Sequence, residues 1–309
     1  MRACVDIGGT KVAVSLALPG SDTLMARQTA PTATTGDNGA VAQQVLRLID
    51  AACVETGVST SAIRSVGVSS AGPFVLNDGC VELATPNICG GLAGPARGLP
   101  NDWMTAPIEA PLRQRFARVR VENDAVAALE AERRWGALRG MDHCAYVTWS
   151  TGVGVGLCVD GRPLRGKNGN AGHAGHTFVA DDDNRDALCG CGNVGDVEGL
   201  IAGNAIARRF GRSAEDLFKA AVAGEPNALR LTDALCRVMG RTLYNLVVTL
   251  DLQAIALGGS VFWHNRDFLL PRLQAHIDGH LAPLTGGVRL HAAGLGDKVG
   301  DYAALALVD

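Results

Sequence analysis

Two stretches of this chain follow one plan. Residues 3–7 form a short apolar run that enters Asp6-Ile7-Gly8-Gly9-Thr10-Lys11, and residues 12–18 then alternate apolar with small side chains, the pattern of strand, tight turn and strand. Residues 144–149 form a second such run into Ser150-Thr151-Gly152-Val153-Gly154-Val155-Gly156, continued by Leu157-Cys158-Val159-Asp160-Gly161. A supersecondary unit repeated at such a separation predicts two similar α/β halves, each presenting an anion-binding turn to a shared cleft. Two other glycine-rich motifs are excluded, because a Walker loop and a dinucleotide fingerprint both open a helix, whereas the residues after Lys11 are strand-like. As a phosphate turn, Gly8, Gly9 and Thr10 offer backbone and hydroxyl donors, and Asp6 holds the water shell of Mg²⁺. Taken alone, the same residues equally describe an ordinary Gly-Gly hairpin.

Between and after these turns the chain alternates helical and strand patterns. Residues 37–55 carry Val41, Val45, Leu48, Ile49 and Ala52 on one helical face, with Gly57 as a stop. Residues 65–69 read as a strand leading into Ser70-Ala71-Gly72-Pro73, a loop of the kind that binds ligands at strand ends of open α/β sheets. Thr85-Pro86-Asn87-Ile88 is a second polar loop. Val119-Arg120-Val121 is a compact strand followed by Glu122-Asn123-Asp124 and then a strong helix over 125–135. Asp124 therefore lies at a strand-to-helix junction, where a carboxylate serves either as a helix cap or in catalysis. A third glycine-rich stretch, Gly258-Gly259-Ser260, follows an apolar strand over 254–257 and precedes a helical region over 269–277. It suits close packing against a flat nucleotide base.

The densest collection of ligand-type residues lies between 168 and 198. His173 and His176 sit among glycines and alanines, where backbone can approach a small molecule closely. Cys189-Gly190-Cys191 follows, so a histidine and two thiols could meet around a tetrahedral Zn²⁺ that still requires a fourth ligand. The bland alternative is a glycine-rich loop with a core histidine and two inert thiols.

Length and composition narrow the class. A chain of 309 residues, 47% hydrophobic and 19% charged, can bury a large core and suggests two domains. The balance of 28 basic against 31 acidic residues, formally -3, includes no basic run that would make a nucleic-acid surface. No apolar run approaches the roughly 20 residues needed to span a bilayer, and the N-terminal residues lack the features of a signal peptide, so a cytoplasmic protein without membrane or nucleic-acid partners is expected. Nine cysteines, scattered and odd in number, fit reduced thiols in that compartment.

The order DIGGTK, END, STGVGVG, GNAGHAGH, CGCGNVGDVE and LGGS resembles the ROK family of sugar kinases and repressors, over residues 6–260. The resemblance implies an α/β protein of the actin-like ATPase (ribonuclease H-like) fold, with two similar domains around a central cleft: 1–118, completed by a C-terminal helix at about 296–309, and 119–295. Repressor members carry a DNA-binding segment ahead of DIGGTK, and five residues precede Asp6 here, so a kinase is expected. The implied ligands are a sugar, ATP and Mg²⁺, and the implied assembly is a homodimer. Asp6, Gly8, Gly9, Thr10, Lys11, Thr151, Gly152 and Gly154 would bracket the ATP phosphates, and Gly258 and Gly259 would face the adenosine. Asp124 would be the base, and Asn87, Asn123, His173, His176 and Glu198 would hold the sugar. His176 would also bind structural zinc with Cys189, Cys191 and Asp196, the last standing where relatives have a third cysteine. A second departure is His173, where most sugar kinases of the family have glutamate; bacterial N-acetylmannosamine kinases resemble this chain there. Imidazole can donate as well as accept a hydrogen bond, which suits an acetamido carbonyl. The expected reaction is thus phosphorylation of the 6-hydroxyl of N-acetylmannosamine, with glucose or another hexose as the alternative substrate and a non-catalytic sugar sensor as the different-class alternative.

Overall fold

The computed structural model describes residues 1–92, 98–180 and 186–308. The chain divides into two compact units. The first comprises Met1–Ala131, Arg165–Ala171 and Lys298–Asp309, and the second Glu132–Leu164 and Gly172–Asp297.

In the first unit, β1 (Arg2–Ile7), β2 (Lys11–Ala17) and β3 (Leu24–Pro31) form an antiparallel meander. The helix α1 (Ala40–Thr56) follows, ending at Gly57, whose left-handed φ of 66° lets its N–H reach back to the carbonyls of Cys53 and Val54. It begins later than the apolar pattern suggested because Asp37 accepts from the Gly39 N–H and turns the chain first. Strand β4 (Ser65–Ser70) runs parallel to β1. A small sheet of β5 (Phe74–Asn77), β6 (Cys80–Leu83) and β7 (Ala106–Pro107) precedes α2 (Glu109–Arg113). Strand β8 (Arg118–Asn123) then pairs in parallel with β4, giving the order β3-β2-β1-β4-β8, and leads directly into α3 (Asp124–Trp135). Because β8 completes this sheet, the first unit runs on to Ala131 instead of ending at residue 118.

Both faces of the sheet are covered, which explains why every residue of β4 is buried. Val41, Val45 and Ile49 of α1 join Val5, Val66 and Val121 in one apolar cluster. On the opposite face the C-terminal helix Val299–Ala306 approaches so closely that a Cβ on Gly67 would lie 2.3 Å from the Ala304 carbonyl oxygen. No larger residue fits there.

The second unit repeats this topology. Strand β9 (Cys144–Trp149) pairs antiparallel with β10 (Val153–Val159), which pairs with β11 (Arg162–Pro163); β12 (Ala254–Gly258) and β13 (Arg289–Ala292) add in parallel on the other side. The order β11-β10-β9-β12-β13 matches β3-β2-β1-β4-β8 strand for strand, so the duplication read from the glycine turns is real. Its helices are α4 (Val197–Ile201), α5 (Gly203–Phe210), α6 (Ala214–Val222), α7 (Pro226–Leu250), α8 (Ser260–Trp263), α9 (Arg266–Asp278) and α10 (Ala282–Thr285). Trp149 anchors them to the sheet: its indole N–H donates to the Ile201 carbonyl at 2.7 Å, and its ring meets Phe218 edge-on at 6.1 Å.

Candidate active site

In the first unit, three neighbouring strands end together, since Ile7, Ser70 and Asn123 are in register. Sites of open α/β sheets gather at such carboxyl ends. The turn after β1 is closed by the Gly8 N–H donating to the Lys11 carbonyl at 2.9 Å and held by the Thr32 hydroxyl on the Gly8 carbonyl at 2.7 Å. Gly9 must be glycine because its Cβ would lie 2.7 Å from Asn87 Cβ, and this contact brings Asn87 onto the turn. Thr10 and Lys11 are exposed beyond it. Asp6 stands at the base of the turn with its acidity weakened, its pKa raised to about 6. Burial is the main cause, the neighbouring Asp124 charge adds to it, and Lys11 and Arg27 oppose it. Asp6 and Asp124 therefore share one electrostatic environment. The cap of α3 is made jointly: the Ala125 N–H donates to Asn123 Oδ1 at 3.0 Å and to Asp124 Oδ1 at 2.8 Å. Helix cap and candidate base are thus the same carboxylate, fixed in orientation by the helix it opens.

In the second unit, the turn joining β9 to β10 carries Thr151 and Gly152, and Gly154 follows on β10 opposite Thr148. Glu198, from the first turn of α4, lies against it. Its Oε2 accepts the Val153 N–H at 3.0 Å, and a Cβ on Gly152 would come within 2.6 Å of the same oxygen. Ser150 and Ser260 hydroxyls, 2.9 Å apart, tie this turn to Gly258-Gly259-Ser260. Both glycines there leave room for the sheet itself: a Cβ would meet the Tyr146 hydroxyl at 2.4 Å from Gly258 and the Trp149 carbonyl at 2.5 Å from Gly259, whose φ is 85°.

The His-Cys loop of the same unit gathers into a cluster. His176 Nδ1, Cys189 Sγ, Cys191 Sγ and an Asp196 oxygen all lie within 4.8 Å of one another. The resolved edges are 3.3 Å from His176 Nδ1 to Asp196 Oδ2, 3.5 Å from Cys189 Sγ to His176 Nδ1 and 3.4 Å from Cys191 Sγ to Asp196 Oδ2. A tetrahedral zinc with ordinary bond lengths needs ligand-to-ligand edges of about 3.3–3.8 Å, so these residues fit the ion. A tight backbone turn presents the thiols, with the Cys189 N–H on the Asn193 carbonyl at 2.8 Å and the Gly192 N–H on the Cys189 carbonyl at 3.1 Å. Asp196 is fully buried and divided between two tasks, Oδ1 accepting the Gly199 N–H at 2.7 Å to cap α4 while Oδ2 faces the cluster. Burial works to raise its pKa, but hydrogen bonds from His176, the Gly199 N–H and the two cysteines outweigh this and hold it below the usual range. The Asp196 hydrogen bond pushes His176 up, and burial pushes the Cys189 thiol up steeply.

His173 lies beside this cluster with its ring stacked on His176, centroids 5.7 Å apart. Burial, assisted by the neighbouring imidazole, lowers its pKa, so the ring is neutral at pH 7. Its Nε2 is buried and has no hydrogen-bond partner among the described residues. Sequence reasoning did not find the Glu198 bond to the Val153 amide or the Thr32 brace under Gly8. Both join segments distant in the chain, and no local pattern marks them.

Residues 2–309 match the model of the ROK family. The chain belongs to the ROK family. It is 32% identical over 314 residues to the N-acetylmannosamine kinase of Vibrio vulnificus, covering 98% of this chain and 94% of that one. It is 29% identical over 328 residues to the glucokinase of Aeropyrum pernix, covering 98% and 95%. Among solved structures, a ROK hexokinase from Thermus thermophilus superposes with a TM-score of 0.75 at 31% identity, covering 99% of this chain and 97% of that one. The fold is that of the actin-like ATPases, and the protein is a sugar kinase of the ROK family.

Proposed function

We propose that the chain transfers the γ-phosphoryl group of ATP to the 6-hydroxyl of N-acetylmannosamine. The observation that carries the choice of sugar is His173. A buried polar atom without a partner is costly, and the His173 Nε2 is such an atom on a loop that most sugar kinases of the family are expected to arm with glutamate. A neutral imidazole can donate to the acetamido carbonyl, which a carboxylate cannot. Similarity to N-acetylmannosamine kinases supports this reading. Glucose or another hexose is the second reading, favoured by similarity to a glucokinase.

In this reading Asp124 accepts the proton of the attacking hydroxyl, its orientation set by the Ala125 N–H. Asn87, Asn123, His173, His176 and Glu198 hold the sugar. Asp6 would hold Mg²⁺, which when bound would supply positive charge to offset that of the phosphates. Gly8, Gly9, Thr10 and Lys11, with Thr151, Gly152 and Gly154, bind phosphates through backbone and side-chain donors, and Gly258 and Gly259 lie at the adenosine. Zinc on His176, Cys189, Cys191 and Asp196 would fix the His176 ring through Nδ1 and leave Nε2 for a hydroxyl. The protein works in the cytoplasm as a homodimer. A coupled assay of ADP release across N-acetylated and unsubstituted hexoses tests the proposal: a higher kcat/KM for glucose than for N-acetylmannosamine would replace it with the second reading.

A further inference from the structure

At the amino ends of β4 and β8 the first unit contains a cavity of about 360 Å³ lined by Ser65, Arg113, Arg118, Arg120, Leu307 and Val308, among others. It lies a strand's length, about 17 Å at 3.3 Å per residue, from the carboxyl ends where Asp6 and Asp124 stand. Arg2, Ser65 and Arg118 are in register on three adjacent strands, so their side chains share one face of the sheet, and Arg120, two residues on, shares it too. Two of the cations around the cavity are already matched: Arg113 binds Glu109 at 2.7 Å, and Arg120 binds Glu122 and Glu130. Arg118 on its lining, and Arg2 in register beside Ser65, are not matched among the described residues.

Arg2 is 2% exposed, and among the described residues its hydrogen bonds reach only the carbonyls of Val308, Leu18 and Ser21 and its Nε has no partner. Among the described residues neither Arg2 nor Arg118 has a carboxylate. Ser65 is 4% exposed, and its buried hydroxyl has no partner among the described residues. A buried guanidinium with no anion among the described residues and an orphan hydroxyl beside it are both expensive, and an anion in the cavity would offset both. We propose that this cavity binds the phosphate group of a small phosphorylated metabolite, with Arg118 and the Ser65 hydroxyl as direct donors, Arg2 as the buried counter-charge and Leu307 and Val308 as an apolar wall for the rest of the molecule. Guanidinium groups favour phosphate because their planar fork matches its oxygens.

The test is titration of the full-length protein with inorganic phosphate at constant ionic strength, followed calorimetrically, with a saturating non-hydrolysable ATP analogue occupying the glycine turns. Wild type should bind phosphate. Arg118→Gln should weaken binding roughly tenfold or more and Ser65→Ala several-fold, as loss of charge-assisted and neutral hydrogen bonds implies, while both keep wild-type sugar phosphorylation in phosphate-free buffer. Absence of binding in wild type, or equal binding in wild type and Arg118→Gln, overturns the proposal.

Discussion

Replacing Asp6 with asparagine should make the ligand-free protein more stable at neutral pH and leave its stability nearly unchanged in acid. The carboxyl has a pKa of about 6 in the folded protein against 3.8 as the ordinary value, chiefly because of burial and secondarily because of Asp124. Since the folded pKa is raised, the folded state holds more protons than the unfolded chain between those two values, and stability falls as pH rises. The favourable contribution is complete below 3.8 and lost as pH passes through about 6. At 1.36 kcal/mol per pH unit the full loss is about 3 kcal/mol, of which about 2 kcal/mol lies between pH 4.5 and 7.5. Asparagine matches the protonated carboxyl in size and carries no charge at either pH. Thermal unfolding of wild type and Asp6→Asn at pH 4.5 and 7.5, without nucleotide or Mg²⁺, reads the difference, because carboxylates other than the coupled Asp124 titrate alike in both proteins. The gap in Tm should widen by about 4–8 °C in favour of the variant at the higher pH. A gap of the same size at both pH values would refute the argument that burial of Asp6 strains the site.

The same group sets the acid limb of activity when the metal is limiting: at Mg²⁺ well below saturation, kcat/KM should fall as pH drops below about 6, where Asp6 loses its charge, and a profile flat to pH 5 under that condition would detach Asp6 from Mg²⁺ binding. Asp124→Asn should lower kcat by ~10²–10⁴-fold while sugar affinity, measured by calorimetry, stays within a few-fold. His173→Glu should lower kcat/KM for N-acetylmannosamine and raise the relative use of glucose, so an unchanged ratio would remove His173 from recognition even if overall activity fell. Protein purified without chelator should carry close to one zinc by elemental analysis. Asp196→Cys should tighten that zinc, and Asp196→Ala should release it and also cost about 1 kcal/mol in the α4 cap, so zinc retained by the alanine variant would mean that another group supplies the fourth ligand.

The duplication of the fold was legible because it is encoded locally. Apolar alternation on either side of a glycine turn marks β1-β2 and β9-β10 without reference to the rest of the chain. The strand-to-helix junction at Asn123 and Asp124 was legible for the same reason. What stayed hidden depends on pairing between distant segments. The residues of β8 look like the start of a new domain until β4 is placed beside them, which is why the first unit extends to Ala131. Gly9 packs against Asn87, Gly258 against the Tyr146 hydroxyl and Gly259 against the Trp149 carbonyl; the atoms that exclude a Cβ at these glycines are far away in the sequence, so this packing does not show there. Glu198 could be named as a polar residue near the cluster, but its bond to the Val153 amide needs α4 folded against the β9-β10 turn. Asp196 looks like a substituted metal ligand in the sequence, and its second task as the α4 cap shows only in the backbone.

We propose that this ROK kinase selects an N-acetylated hexosamine through the half-buried, neutral imidazole of His173. Steady-state ADP release with N-acetylmannosamine, N-acetylglucosamine, glucose and mannose, each over a full range of concentrations, tests it most directly. N-acetylmannosamine should give the highest kcat/KM, by a factor on the order of ten or more over glucose, as expected when a site's hydrogen-bonding group is left unpaired by the wrong sugar. A glucose value equal to or above that for N-acetylmannosamine would contradict it.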